Sequence, residues 1–287
     1  MIGLDLQVRP AGVQDRQAIS NLIFFQNHAH RHLDWHPPLD WLGSPYFWLI
    51  EENGRALAVL ACPPDPPGVA WVRLFAYGGT VSAMDAWSAL WGLARVEIQR
   101  LGGAQVGVIA LHGWMRELMH HTDFDWIQNI VMLEWRGRPA LPPSLPEGLL
   151  LRPMKESDLP AVGQVDTDAF DPLWRISLDS LRRAFSQSIS AAVIESSGGL
   201  LGYQLSTGKP DGCHLARLAV RKEAQGFGLG AALVGDLIRQ MRRRGAGLIT
   251  VNTQNDNRSS MALYQKMGFA RTGEEYSVFR YQVNQGG

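Results

Sequence analysis

Two periods of apolar positions organise the C-terminal half of the chain. Leu215-Ala216-Arg217-Leu218-Ala219-Val220 reads as an apolar strand, and Leu229, Leu233, Leu237 and Met241 then recur every four residues as the core stripe of a helix. Gly247–Val251 forms a second strand pattern, and Asn257 to Gly268 reads as a short helix closed by glycine, with Phe269 behind it. The chain also repeats itself. Val8-Arg9-Pro10 with Asp15 opens a strand and helix that Leu151-Arg152-Pro153 with Asp158 opens again 143 residues later. Arg73-Leu74-Phe75 answers Arg217-Leu218-Ala219 at an offset of 144, and Phe124, before a closing strand, answers Phe269 at 145. A nearly constant offset predicts a tandem duplication. Between the halves, Gly137 to Gly148 holds four prolines and two glycines, which favours an extended connection. The expectation is an α/β chain (α+β by some schemes) of two domains, 1–137 and 149–287, joined by a Pro-rich linker at 138–148.

Composition narrows the class. With 46% hydrophobic and 19% charged residues in 287, both halves can bury a core. The first residues lack a basic start followed by an apolar run, and no apolar stretch is long enough to span a bilayer, so the expectation is a cytoplasmic protein with no membrane partner. Cys62 and Cys213 fall in different halves and make no disulfide framework. A formal net charge of +0 argues against a nucleic-acid partner. The charge is uneven, however: residues 1–147 carry 10 basic against 14 acidic side chains, and residues 148–287 carry 17 against 13. A polyanionic ligand would meet the second half.

The strand ending at Val220 runs through Arg221-Lys222-Glu223-Ala224 into Gln225-Gly226-Phe227-Gly228-Leu229-Gly230 and then the helix. A helix N-terminus offers amides without partners and a partial positive charge, and glycines let a phosphate approach them. The same glycines fit a dinucleotide fingerprint, but five residues separate strand from first glycine and the next strand ends at Asn252, where that reading wants an acidic residue. The following block, Asn257 with Tyr264 seven positions on and then Gly268-Phe269, places both side chains on one side of two helical turns. Together the blocks resemble the GNAT superfamily of acyl-CoA N-acyltransferases, whose patterns are Q/R-x-x-G-x-G/A and N-x(6)-Y-x-x-x-G-F.

That resemblance implies two tandem GNAT folds, each a mixed central sheet flanked by helices, in a layout similar to that of mycothiol synthase. It also implies acetyl-CoA as co-substrate and direct acyl transfer to a primary amine, the amine-bearing acceptor being the partner. The cofactor site would comprise Leu218, Ala219 and Val220, through backbone amides, with Gln225, Gly226, Phe227, Gly228, Leu229, Gly230, Ala231 and Asn257. Tyr264 matches the tyrosine that protonates the departing thiolate. The base stays open. Ribosomal-protein alanine acetyltransferases carry a glutamate where this chain has Asn252, and histone acetyltransferases carry one where it has His214. His214 is the candidate base and Glu195 its rival. At offsets of 144 and 145 the glycine loop falls on Val81, Ser82, Met84 and Ala86, and Asn257 and Tyr264 fall on His112 and Met119, so the first half is expected to be degenerate. The alternative is a non-catalytic acyl-CoA sensor.

Other features invite plainer readings. His28, His30, His32 and His36 lack a nearby cysteine, and no metal site is expected. Nine of the ten tryptophans lie in the first half, as core or packing residues. Asp166, Asp168 and Asp171 could attract a cationic amine or simply cap a helix.

Overall fold

The computed structural model describes residues 6–137, 145–209 and 212–285, so much of the expected linker at 138–148 lies outside the described residues. In chain order the elements are β1 (Gln7–Pro10), α1 (Arg16–Phe25), β2 (Ala29–Arg31), β3 (Phe47–Glu52), β4 (Arg55–Ala61), β5 (Val69–Trp71), β6 (Leu74–Tyr77), α2 (Ala83–Arg100), β7 (Ala104–Ala110), α3 (Gly113–His120) and β8 (Asp125–Trp135). There follow β9 (Leu150–Pro153), α4 (Leu159–Ala169), α5 (Leu178–Ser186), β10 (Ser190–Ser196), β11 (Gly199–Lys209), β12 (Gly212–Val220), α6 (Leu229–Arg243), β13 (Leu248–Gln254), α7 (Arg258–Lys266) and β14 (Ala270–Val283).

The chain divides into two compact units, Met1–Ile127 with Ser277–Gly287, and Gln128–Tyr276. These boundaries differ from the contiguous 1–137 and 149–287, and the reason is an exchange of closing strands. In the first unit, Ser277–Val283 of β14 pairs antiparallel with β7 from Ala110 to Ala104. In the second, Ile130–Trp135 of β8 pairs antiparallel with β13. A strand supplied late in the chain satisfies the ladder as well as one supplied locally, and sequence periodicity carries no record of which sheet receives it.

The first unit holds a five-stranded sheet in the order β1-β3-β4-β6-β2, together with β5 parallel to β7. The second holds β13-β12-β11-β10-β9, with β12 and β13 parallel. The predicted stripe of α6 is buried: Leu229, Leu233, Leu237 and Met241 expose at most 2% of their surface. Leu237 and Met241 share a core with Leu215, Ile249 and Val251 of the sheet. Each such leucine contributes about 1.5–3 kcal/mol relative to exposure.

The duplication is visible in a repeated polar network. Arg9 binds Asp15 at 2.7 Å and Glu51 at 2.8 Å, and Arg152 binds Asp158 at 2.7 Å and Glu195 at 2.6 Å. Each aspartate also accepts a backbone amide, from Gly12 at 2.8 Å and Lys155 at 2.7 Å. Even the β-bulges correspond, between Ile50/Glu51 and Ile194/Glu195. Strand register corrects one expectation. Val69 pairs with Gln105 as Gly212 pairs with Leu248, and Ala76 pairs with Val59 as Ala219 pairs with Tyr203. The offset is 143 along β5, β7 and β6 and 144 from β4 to β11, so Leu74, not Arg73, stands where Arg217 does.

Candidate functional site

The ladder between β12 and β13 runs from Gly212↔Leu248 to Leu215↔Val251, and β12 then continues to Val220. A bulge at this point, where Leu205↔Arg217 gives way to Ser206↔Leu215, turns β12 away from its parallel neighbour. The parity of the antiparallel ladder decides which amides face the resulting split. Arg221 N donates to Leu201 O at 2.8 Å, so Ala219 and Arg217 exchange bonds with β11 while the amides of Leu218 and Val220 point the other way. Of the three amides the sequence proposed, that of Ala219 is engaged inside the sheet.

Beside those amides α6 begins. Gly228 takes a left-handed φ of 80° at its N-cap, no side chain caps the helix and its first turn holds no acid. Gly226 is also left-handed, at φ +84°, and a Cβ there would meet nothing within 4 Å. The first amides of α6 are thus free of side-chain competition. The loop is held from both sides: Lys222 N donates to Asp168 Oδ2 at 2.8 Å, and Gln225 Nε2 donates to Val220 O at 3.1 Å. On the far wall, Asn257 caps α7 through Ser260 N at 3.0 Å, and a Cβ on Gly230 would come within 3.1 Å of Leu263 Cδ2.

Together these surfaces line a cleft of about 680 Å³. Leu218, Ala219, Val220, Gln225, Gly226, Gly228, Leu229, Gly230, Ala231 and Asn257 all border it; Phe227 does not, and is 68% exposed. Missed by sequence reading were Phe170, Lys222, Ser259, Ser260 and Lys266, which also border it. The lysines complement a polyanion. The exposed Ser259 and Lys266 carried that signal, since seven residues apart they share the outward face of α7.

The proposed chemical groups lie elsewhere. Tyr264 is 4% exposed and packs against Phe269 with ring centroids 5.6 Å apart, in the apolar core and outside the cleft lining. Burial pushes its phenol above the ordinary range, so it stays protonated. The seven-residue spacing therefore does not bring Asn257 and Tyr264 to one wall. His214 lies on the paired part of β12, its Nδ1 2.9 Å from Thr250 Oγ1, and burial lowers its pKa. Four residues of strand put it on the order of 10 Å from Leu218. Glu195 is held by Arg152, whose hydrogen bonds lower its pKa, and the matching Glu51 shows this to be a feature of the fold; it is no longer a rival base. Burial pushes the Cys213 thiol up to about 11, which makes it a poor nucleophile.

Asp166, weighed as an attractor for a cation, is fully buried. It accepts from Tyr203 Oη at 2.6 Å and Arg217 Nε at 2.8 Å. Arg217 also donates to Trp174 O at 2.5 Å and lies 3.8 Å over the Phe170 ring. This clamp fixes the segment after α4, including the cleft-lining Phe170.

Among the described residues, the first unit has no matching cradle. Residues 78–82 join β6 to α2 where 221–228 join β12 to α6. Ser82 Oγ caps α2 through Asp85 N at 3.1 Å, and Asp85 puts a carboxylate in the first turn. The shorter loop leaves no residue-by-residue counterpart for the glycines. Two histidines of this unit stack on aromatic rings, His28 on Tyr77 at 4.6 Å and His32 on Trp71 at 4.7 Å. Among the described residues no helix is long and apolar enough to cross a membrane.

Residues 159–269 match the Acetyltransferase (GNAT) family. The chain is 29% identical over 154 residues to mycothiol acetyltransferase of Saccharopolyspora erythraea, covering 48% of this chain and 50% of that protein. It spans about half the length of the curated relatives it matches. Among solved structures, a GCN5-related N-acetyltransferase from Sphaerobacter thermophilus aligns over 98% of this chain and 96% of its own, with TM-score 0.63 and 18% identity. A tandem GNAT protein from the clavulanic acid biosynthesis pathway aligns over 99% and 100%, with TM-score 0.62 and 15% identity. These likenesses are likenesses of fold: two tandem GNAT folds.

Proposed function

We propose, for a chain that carries a GNAT domain over residues 159–269, that the second unit transfers an acetyl group from acetyl-CoA to a primary amine of a small molecule or peptide. One observation carries the reading: the cleft sets the outward amides of Leu218 and Val220 beside the uncapped N-terminus of α6. In it, Gly226 to Gly230 receive the pyrophosphate, with Lys222 and Lys266 neutralising charge. The amides of Leu218 and Val220 hold the pantetheine arm and polarise the thioester carbonyl as it gains negative charge.

The amine nitrogen forms a bond to the carbonyl carbon, the carbon–sulfur bond breaks, one proton leaves the nitrogen and one reaches the sulfur. An alkyl ammonium with a pKa of about 10 is roughly one part in a thousand neutral at pH 7, so a base accelerates the step. His214, kept neutral by burial, takes that proton through water. Tyr264, kept protonated by burial, supplies the other after a rotation toward the cleft. This assignment leaves the acceptor to the wall formed by Phe170.

A specific observation favours a second reading, an acyl-CoA-binding protein without turnover: none of the described residues lining the cleft is a histidine or a carboxylate. Thiol release from acetyl-CoA across a panel of primary amines separates the two. Amine-dependent release supports the transferase; binding without release for any amine supports the sensor.

A further inference from the structure

The split that stays open in the second unit is filled in the first by the chain itself. There β5 pairs with β7 as the start of β12 pairs with β13, and β6 then departs as the end of β12 does. Gly78 N donates to Leu57 O at 2.8 Å, the counterpart of Arg221 N to Leu201 O, so the same parity turns the amides of Phe75 and Tyr77 outward. At the offset of 143 these are the amides of Leu218 and Val220. In the first unit they do not face a cleft. β2 pairs antiparallel with β6 in the register Ala29↔Ala76, His30↔Phe75 and Arg31↔Leu74. Tyr77 N donates to His28 O at 3.1 Å, and His32 N to Arg73 O at 3.0 Å.

We propose that residues 28–32 are an internal plug, a strand that presents its carbonyls to the amides an acyl-CoA would otherwise engage and so closes the groove of the first unit. This rests on the reading of the second unit's amides as the pantetheine site. The plug accounts for the alternating histidines. His28 stacks on Tyr77, His32 stacks on Trp71, and the fully buried His30 sets Nε2 3.1 Å from Val72 O. Arg73, paired with Asp34 and lying 4.9 Å over Trp41, ties down the chain beyond it.

The clamp explains why the second unit stays open. The plug follows α1, and its counterpart after α4 is the segment that Asp166 and Arg217 hold through Trp174 O and Phe170. At the corresponding positions of the first unit stand Ile23 for Asp166, Leu74 for Arg217 and Val59 for Tyr203, which pack together in an apolar cluster. A polar clamp pins the segment outside the groove. Its apolar replacement leaves the segment free to pair with the exposed strand edge, the usual fate of unpaired ladder groups.

Amide-resolved hydrogen exchange on the full chain tests this. Without ligand, Phe75 and Tyr77 should exchange roughly 100-fold or more slowly than Leu218 and Val220; comparable rates would overturn the plug. Added acetyl-CoA should slow Leu218 and Val220 alone, whereas further slowing of Phe75 and Tyr77 would mean that the ligand enters the first unit and would overturn it too. If acetyl-CoA alters neither pair, the reading of the second unit fails, while the ligand-free comparison still judges the plug as a strand. The double variant Asp166→Ile with Arg217→Leu, which installs the first unit's residues, should slow Leu218 and Val220 in the ligand-free protein. Unchanged fast exchange in a folded double variant would overturn the clamp's part in keeping the groove open.

Discussion

His30 makes the stability of this protein sensitive to mild acid. The imidazole is fully buried, bonded through Nε2 to Val72 O, and has His112 and His32 as its titratable neighbours, with Arg73 acting on His32. Burial brings its pKa down from 6.5 to about 4. A folded pKa below the unfolded one means that the neutral form is favoured in the native state; the stabilisation is complete above 6.5 and is lost as pH falls toward 4. Two and a half pKa steps at 1.36 kcal/mol each give about 3 kcal/mol, most of it lost between pH 6.5 and 4.5. Lowered carboxylates such as Asp15 and Asp158 act in a separate window, because their unfolded forms protonate only near pH 4. His32 shifts in the same direction as His30 and adds to its effect. Urea titrations at several pH values, on the parent chain and on His30→Gln, isolate the His30 share: the glutamine keeps a donor toward Val72 O but does not titrate. The difference in unfolding free energy between the two proteins should change by about 3 kcal/mol from pH 7.5 to 4.5, to the disadvantage of the parent. Parallel pH dependences would refute the argument.

Three further outcomes follow from the site and its clamp. Tyr264→Phe should lower turnover by about 10²- to 10⁴-fold while leaving acetyl-CoA affinity within about twofold, measured by thiol release and calorimetry; an unchanged rate would remove Tyr264 from the chemistry. With its pKa lowered by burial, His214 should give the rate an acidic limb below pH 6.5, absent in His214→Gln, and a pH–rate profile that does not move contradicts its role as base. Asp166→Ala leaves the Arg217 guanidinium buried without its carboxylate and should cost roughly 3–5 kcal/mol in a urea melt, against well under 1 kcal/mol if the clamp is merely ornamental.

Much of this molecule was legible in its sequence because local chemistry set it. Left-handed Gly226 and Gly228 and the α6 stripe depend on neighbours within a turn or two, and each stands where its pattern placed it. Arg9 with Asp15 and Arg152 with Asp158 stood out only as a repeat at a spacing of six residues, and the structure shows each to be an ion pair. What escaped depended on partners far along the chain. The exchange of β8 and β14 between units leaves no trace in periodicity, since either sheet satisfies the same alternation. Asp166 looked like an exposed helix-end acid until Tyr203 and Arg217, 37 and 51 residues on, enclosed it. Matching Arg73 with Arg217 by residue identity missed the register by one, and one residue in a strand reverses the face. The histidine alternation at 28, 30 and 32 was a true strand signal, but only the unpaired edge of β6 gave that strand a place.

Calorimetric titration of the full chain with acetyl-CoA, beside Gly228→Glu, tests the central claim most directly. The substitution forces a side chain onto a backbone at φ 80° and sets a carboxylate where the phosphates would bind. One site per chain, lost in the variant while its urea melt stays cooperative, is the predicted result. No binding by the parent chain would contradict the assignment of the cleft, and two sites would contradict a first unit that is closed.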